Sequence, residues 1–271
     1  MKNIKFQIVF STMLFLTSFQ GLLKAQQEIR YWGSFNLDAP LTKKIDIKLN
    51  YLRSIEEIES GIKTNFNWYQ IRFNYEINKK WDVQAGTAWM QVPAYNTTTN
   101  RIYARVFKSS KINKHLVLRN GIQIENHSKE EYRFDQRIIL ISRLGLRKRL
   151  EFLKLAPSAS YLLFYNIGGN PIRYFNESGE QIAYQAANGF HRGRLILNLN
   201  TKIGKQIRAS IFYMNQHEFN LGKETRNINV LNPNTGRIQR PFNNYHTLGF
   251  SLTYILLGTN NKPYLENILT N

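Results

Sequence analysis

The sequence predicts an all-β protein, an antiparallel up-and-down transmembrane β-barrel of about 10–12 strands. Three observations predict it. After residue 25 the chain falls into eleven segments in which apolar and polar residues alternate, each near the roughly 9–11 residues that cross a bilayer as a tilted strand. The connections between segments alternate between short and long. The first 25 residues have the make-up of an export signal.

In that leader, Lys2 and Lys5 supply the positive start. Ile8 to Phe19 is an apolar run interrupted only by Ser11, Thr12, Thr17 and Ser18, and Ala25 precedes Gln26 at the expected cleavage point. The run is shorter than the roughly 20 apolar residues of a spanning helix. An uncleaved anchor helix is the alternative. The expected organisation is a signal peptide over 1–25 and one outer-membrane barrel domain over 26–271. No later apolar stretch reaches the length of a spanning helix, so a membrane location requires a closed barrel.

The strands follow in order. In 29–37, Ile29, Tyr31, Phe35 and Leu37 oppose Arg30, Ser34 and Asn36. In 44–52, Ile45, Ile47, Leu49 and Tyr51 oppose Lys44, Asp46, Lys48 and Asn50. In 64–77, Tyr69, Ile71, Phe73, Tyr75 and Ile77 oppose Gln70, Arg72, Asn74 and Glu76. In 81–92, Trp81, Val83, Ala85 and Trp89 oppose Asp82, Gln84 and Gly86. In 101–108, Ile102, Ala104 and Val106 oppose Arg101, Tyr103 and Arg105. In 115–125, Leu116, Leu118, Ile122 and Ile124 oppose Arg119, Gln123 and Glu125.

In 131–144, Tyr132, Phe134, Ile138, Leu140 and Leu144 oppose Arg133, Asp135, Arg137 and Arg143. Segment 152–165 is apolar on both faces. In 189–201, Leu195, Leu197 and Leu199 oppose Arg192, Arg194, Asn198 and Asn200. In 207–217, Ile207, Ala209, Ile211 and Tyr213 oppose Arg208, Ser210 and Gln216. In 245–256, Leu248, Phe250, Leu252 and Tyr254 oppose Thr247, Gly249, Ser251 and Thr253.

Alternation suits a soluble sandwich too. Strand length, strand number and repeated Arg on the polar face favour the barrel. The short connections are 38–43, 78–80, 109–114, 145–151 and 202–206; the longer ones are 53–63, 93–100, 166–188 and 218–244, with 126–130 a modest member of that second class. Short periplasmic turns and longer extracellular loops are the barrel pattern. Single-chain bacterial barrels usually have an even number of strands, so ten or twelve are expected. Either 29–37 stands outside the wall, a further strand is hidden, or the N-terminus threads the lumen.

The chain has no cysteine, which excludes disulfides and thiol chemistry. Lys plus Arg is 37 against 18 acids; without Lys2, Lys5 and Lys24 the balance is 34 minus 18, or +16. That charge suits anionic partners: outer-membrane lipids, lipopolysaccharide phosphates or small anionic solutes. No nucleic-acid-binding signature occurs.

The chain resembles an uncharacterised Gram-negative outer-membrane β-barrel family, a "domain of unknown function" family. The resemblance rests on Tyr31-Trp32-Gly33-Ser34, on Leu-Thr-Lys-Lys at 41–44, on Tyr51-Leu52-Arg53, and on the Arg-rich stretches 133–137 and Arg192-Gly193-Arg194. It implies a barrel in the outer membrane and no particular activity.

The candidate site is the arginine set Arg72, Arg105, Arg119, Arg133, Arg137, Arg143, Arg192, Arg194 and Arg208, all on polar faces. Two readings stand. A ring of Arg inside a pore or solute-binding channel favours anions. Alternatively the arginines pair with Glu76, Asp82, Glu125 and Asp135 and fill a narrow lumen; the loops at 166–188 and 218–244 would then meet a partner. A third reading, a lipid-modifying hydrolase, has only His127 beside Ser128 and His217 beside Glu218 to recommend it. No catalytic elbow, metal motif or cofactor motif is present, so no enzyme activity, metal or cofactor is expected. Trp32, Trp68, Trp81 and Trp89 are candidates for aromatic girdles at the two membrane interfaces.

Overall fold

The computed structural model describes residues 28–58, 61–131, 133–176, 178–218, 230–232, 237–239 and 244–256. The expected signal peptide at 1–25, most of the expected long connection at 218–244 and the residues after 256 lie outside the described residues.

Eleven strands close into one barrel: β1 (Glu28–Pro40), β2 (Ile45–Ile58), β3 (Gly61–Asn78), β4 (Trp81–Val92), β5 (Thr97–Lys111), β6 (Leu116–His127), β7 (Gln136–Leu146), β8 (Ala156–Ile167), β11 (Gly189–Ile203), β12 (Ile207–Glu218) and β15 (Tyr245–Ile255). Two small hairpins, β9 (Ile172–Phe175) with β10 (Gln181–Gln185) and β13 (Val230–Asn232) with β14 (Arg237–Gln239), form separate two-stranded sheets. Neighbours in the wall are antiparallel except at the seam. There β1 runs parallel to β15, from Glu28 opposite Tyr245 to Asp38 opposite Ile255.

The seam corrects the expectation of ten or twelve strands. Successive hairpins reverse direction, so with eleven strands the first and last must run the same way. Segment 29–37 is a full wall strand, and no hidden strand is needed. Parallel closure pairs both free edges, and an unpaired edge is what a spanning sheet cannot tolerate.

Several boundaries differ from the expected ones. The connection at 53–63 is mostly strand: β2 and β3 pair out to Ile58 opposite Gly61, with a register shift between Ser54 and Ile55. The seventh strand starts at Gln136, and Phe134 packs in the preceding loop, nearly inaccessible. Residues 152–154 form a turn of 3₁₀ helix, so the eighth strand begins at Ala156.

The period-two pattern decides which way each side chain points. Ile29, Tyr31, Phe35, Phe73, Ile102, Ile124, Ile211 and Phe250 are exposed on the outer surface. Their alternating neighbours are buried: Asn74, Asp82, Arg101, Tyr103, Gln123 and Glu125 among them. The core of this fold is therefore the barrel interior, and it is largely polar. Two glycines make room in it. A Cβ on Gly249 would lie 2.0 Å from the Phe212 ring, and one on Gly121 would lie 2.3 Å from the Phe107 ring. Each glycine lets a neighbouring strand's aromatic ring lie flat across the inner wall.

Trp32 and Trp68 correct the girdle expectation for those two positions. Trp32 points inward, edge-on to Phe66 at 5.6 Å and Phe212 at 6.4 Å. Trp68 lies under the Arg101 guanidinium, 4.5 Å from its ring centroid. Trp81 faces outward at the short-turn rim, with the Lys108 ammonium 5.4 Å from its ring.

Candidate functional site

Alternation places Arg72, Arg105, Arg119, Arg137, Arg143, Arg192, Arg194 and Arg208 on inner faces of wall strands. Arg133 is not on a strand: it lies in the connection before β7 and reaches Gln185 at 3.2 Å and Glu218 at 3.5 Å. The same alternation puts Arg30, Lys48, Arg101 and Lys202 inside. These belong with the set although the candidate arginines omit them. The signal was present, since Arg101 alternates with Ile102 as Arg105 does with Val106. On the inner faces of the strands Lys and Arg outnumber Asp and Glu.

The interior divides into two levels. Near the long-loop end, Glu125 is 3% exposed and gathers three groups. Its Oε2 accepts from Arg137 Nη2 at 2.7 Å, lies 3.4 Å from Arg101 Nη1, and contacts His127 Nε2 at 2.9 Å. Arg137 is also stacked over Phe134 and Phe164 at 4.7 and 5.1 Å. Glu218, equally buried, takes Arg192 and Arg133. Gln216 accepts from Arg194 at 2.7 Å. Arg30 pairs with Glu56 at 3.5 Å and lies over Tyr245 at 4.0 Å. These groups come from around the circumference and are mostly buried against one another, although Arg133 keeps 30% of its side chain exposed. A buried, multiply paired network of this kind fixes side-chain positions strongly.

Toward the short-turn end the charge balance changes. Bases, among them Lys48, Arg72, Arg105, Arg119, Arg143, Lys202 and Arg208, outnumber the acids Asp38, Asp46, Glu76 and Asp82. Arg119 Nη2 bonds both oxygens of Asp82 at 2.6 and 2.8 Å, and Lys48 bonds Asp38 at 3.0 Å. Arg105 contacts the amide oxygens of Gln84 and Gln123 rather than a carboxylate. Arg143 donates to the Ser158 hydroxyl at 3.1 Å. Among the described residues, Arg72, Arg143 and Arg208 have no carboxylate partner.

The register sharpens this. Lys48 is directly opposite Arg72, Arg119 opposite Arg143, and Lys202 opposite Arg208. Directly opposed residues of antiparallel strands have Cβ atoms about 4.5–5.5 Å apart, where like charges destabilise the pairing. Three such pairs fall inside one half-barrel, where Lys48 and Arg119 are each also held by a carboxylate.

The histidines do not assemble a hydrolytic pair. His127 is buried against Glu125 and stacks edge-on to Phe134 at 4.7 Å, whereas the Ser128 hydroxyl accepts from the Asn100 amide at 3.1 Å. His246 contacts the Tyr213 hydroxyl at 2.6 Å on the outer face. Glu218 points inward to the arginines while His217, the next residue, points outward. Among the described residues no group of three or more His, Asp or Glu could hold a metal ion. Of the acids expected to pair, Asp82 and Glu125 do so. Asp135 instead receives the Gly169 amide at 3.0 Å and anchors the loop after β8.

A family model described as "Protein of unknown function (DUF2490)" matches residues 29–227. No curated protein matches. Among solved structures, that of Acinetobacter baumannii OccAB4 is similar at 13% identity and a TM-score of 0.29. The match covers 68% of this chain and spans half the length of that one.

Proposed function

The chain belongs to the DUF2490 family, and we propose that it is an outer-membrane barrel whose short-turn half is a basic vestibule for small anionic solutes. Its outer wall supports the membrane assignment: Ile102 and Ile211, at 67% and 65% exposed, are part of an apolar belt around the barrel. Apolar area on that scale is what a spanning barrel presents to lipid. With the export signal expected at 1–25, the location is the outer membrane of a Gram-negative bacterium.

The observation that carries the solute reading is the set of like-charge register pairs Lys48–Arg72, Arg119–Arg143 and Lys202–Arg208. A fixed positive field lowers the free energy of an entering anion. The Glu125 and Glu218 networks close the far end, so the vestibule binds solute rather than conducting it freely.

Calorimetric titration of the detergent-solubilised barrel with inorganic phosphate and with succinate tests the proposal. Binding should be present, should weaken as salt rises from 20 mM to 500 mM on the order of the screening length change, and should fall at least tenfold in Arg119→Met/Arg143→Met. Heat-modifiable gel migration checks that the variant is folded. A folded barrel that binds neither anion refutes the vestibule. Large, open conductance steps in planar bilayers would refute the closed end.

A further inference from the structure

The outer wall carries a second feature, independent of the interior. A groove of about 520 Å³ runs across the outward face of β4 to β8. Its polar edge is one continuous register row: Trp81 opposite Lys108, Lys108 opposite Asn120, Asn120 opposite Ser142, and Ser142 opposite Tyr161. Its apolar floor is the next row, with Val106, Ile122 and Leu140. The groove exists because two small polar residues stand where the outward pattern calls for large apolar ones. Asn120 Oδ1 accepts the Ser142 hydroxyl at 2.9 Å, and the Asn120 amide nitrogen has no partner among the described residues. In hydrocarbon an unpaired polar group is expensive, so this amide points to a polar ligand atom arriving from the lipid side.

The row starts at the rim beside Lys108, and that rim is strongly charged. The connections at 41–44, 79–80, 112–115, 147–155 and 204–206 hold ten Lys and Arg and one acid, Glu151. The connections of the opposite rim hold seven of each sign in the sequence. Among the described residues Lys43, Lys79, Lys80, Lys114 and Lys205 are exposed and make no ion pair. The Ser109 amide donates to the Lys80 carbonyl at 2.7 Å, which keeps Lys80 next to the strand that carries Lys108.

We propose that this groove and the collar above it hold one anionic glycerophospholipid of the adjoining leaflet. Its phosphate meets Lys108 and the rim lysines, an ester carbonyl accepts from the Asn120 amide, and an acyl chain lies along Val106, Ile122 and Leu140. The charge of the rim selects the headgroup, and the polar pair marks the depth of the ester.

Native mass spectrometry of the barrel in detergent, with phosphatidylglycerol, phosphatidylcholine or lipid A added at equal concentration, tests this. Phosphatidylglycerol should stay bound one to one, at least tenfold more than phosphatidylcholine. Lys108→Ala should lower that preference several-fold. Asn120→Leu/Ser142→Leu fills the groove with apolar atoms that suit lipid, so the barrel should remain heat-modifiable and lose phosphatidylglycerol retention. Equal retention of the two phospholipids, preferred retention of lipid A, or wild-type binding by the double variant would each overturn the proposal.

Discussion

Replacing Glu125 with alanine tests whether the long-loop end of the interior is dry. Glu125 is 3% exposed, with Arg137 at 2.7 Å, Arg101 at 3.4 Å and His127 at 2.9 Å. Two guanidiniums share this one carboxylate. At an effective dielectric constant of about 20, a unit pair about 4 Å apart interacts by roughly 4 kcal/mol. Deleting the carboxylate also leaves Arg137 and Arg101, both under 10% exposed, facing each other without a counter-ion. Stranding a buried partner typically costs about 3–5 kcal/mol, and that is the expected loss for Glu125→Ala. Urea unfolding in phospholipid vesicles, followed by tryptophan fluorescence, measures it, since Trp68 lies under Arg101. Adding Arg137→Met to Glu125→Ala removes one stranded charge, and a coupling energy of at least about 1 kcal/mol should appear in the double-mutant cycle. A loss below about 1 kcal/mol, the value of an exposed pair, would refute the reasoning. It would show that water reaches these groups, and that the far end is open.

Arg143→Met should unfold no more easily than the wild type, and up to about 1 kcal/mol less easily, because it removes a like charge opposite Arg119. The same variant should bind phosphate more weakly; unfolding and titration on one preparation read both. Gly249→Ala should destabilise the barrel by about 1–3 kcal/mol, since the new Cβ would lie 2.0 Å from the Phe212 ring, and Phe212→Leu in the same chain should restore most of the loss. The chain has no cysteine, so single cysteines report topology without background. A cysteine at Glu28 should react with an impermeant maleimide from the same side as one at Asn170, and one at Lys79 from the other side. Labelling of Glu28 and Lys79 from one side would contradict the parallel seam.

Nearly all of the wall is legible in the sequence, because period-two alternation is a local property. Each strand shows its outward face in its own residues, and the inward arginines follow by subtraction. Strand ends were less legible. The expected loop at 53–63 still pairs, because backbone hydrogen bonding across β2 and β3 continues past the point where side chains cease to alternate. Phe134 reads as a strand residue in sequence, but it packs in a loop against His127. Trp32 and Trp68 have the composition of girdle residues, yet parity turns both inward, where Phe66, Phe212 and Arg101 receive them.

The sequence alone determined that this is an alternating, basic, cysteine-free chain with one apolar and one arginine-rich face, since those are properties of single strands. How the faces meet depends on contacts between distant strands. The odd strand count is resolved by a parallel seam between residues more than 200 positions apart, which no local pattern encodes. The partition of the arginines is equally non-local. Glu125 and Glu218 lie near one end, and Arg119 and Arg143 become neighbours only through the pairing of β6 with β7. Countercharge is a matter of distance in space, and closure of the barrel sets those distances.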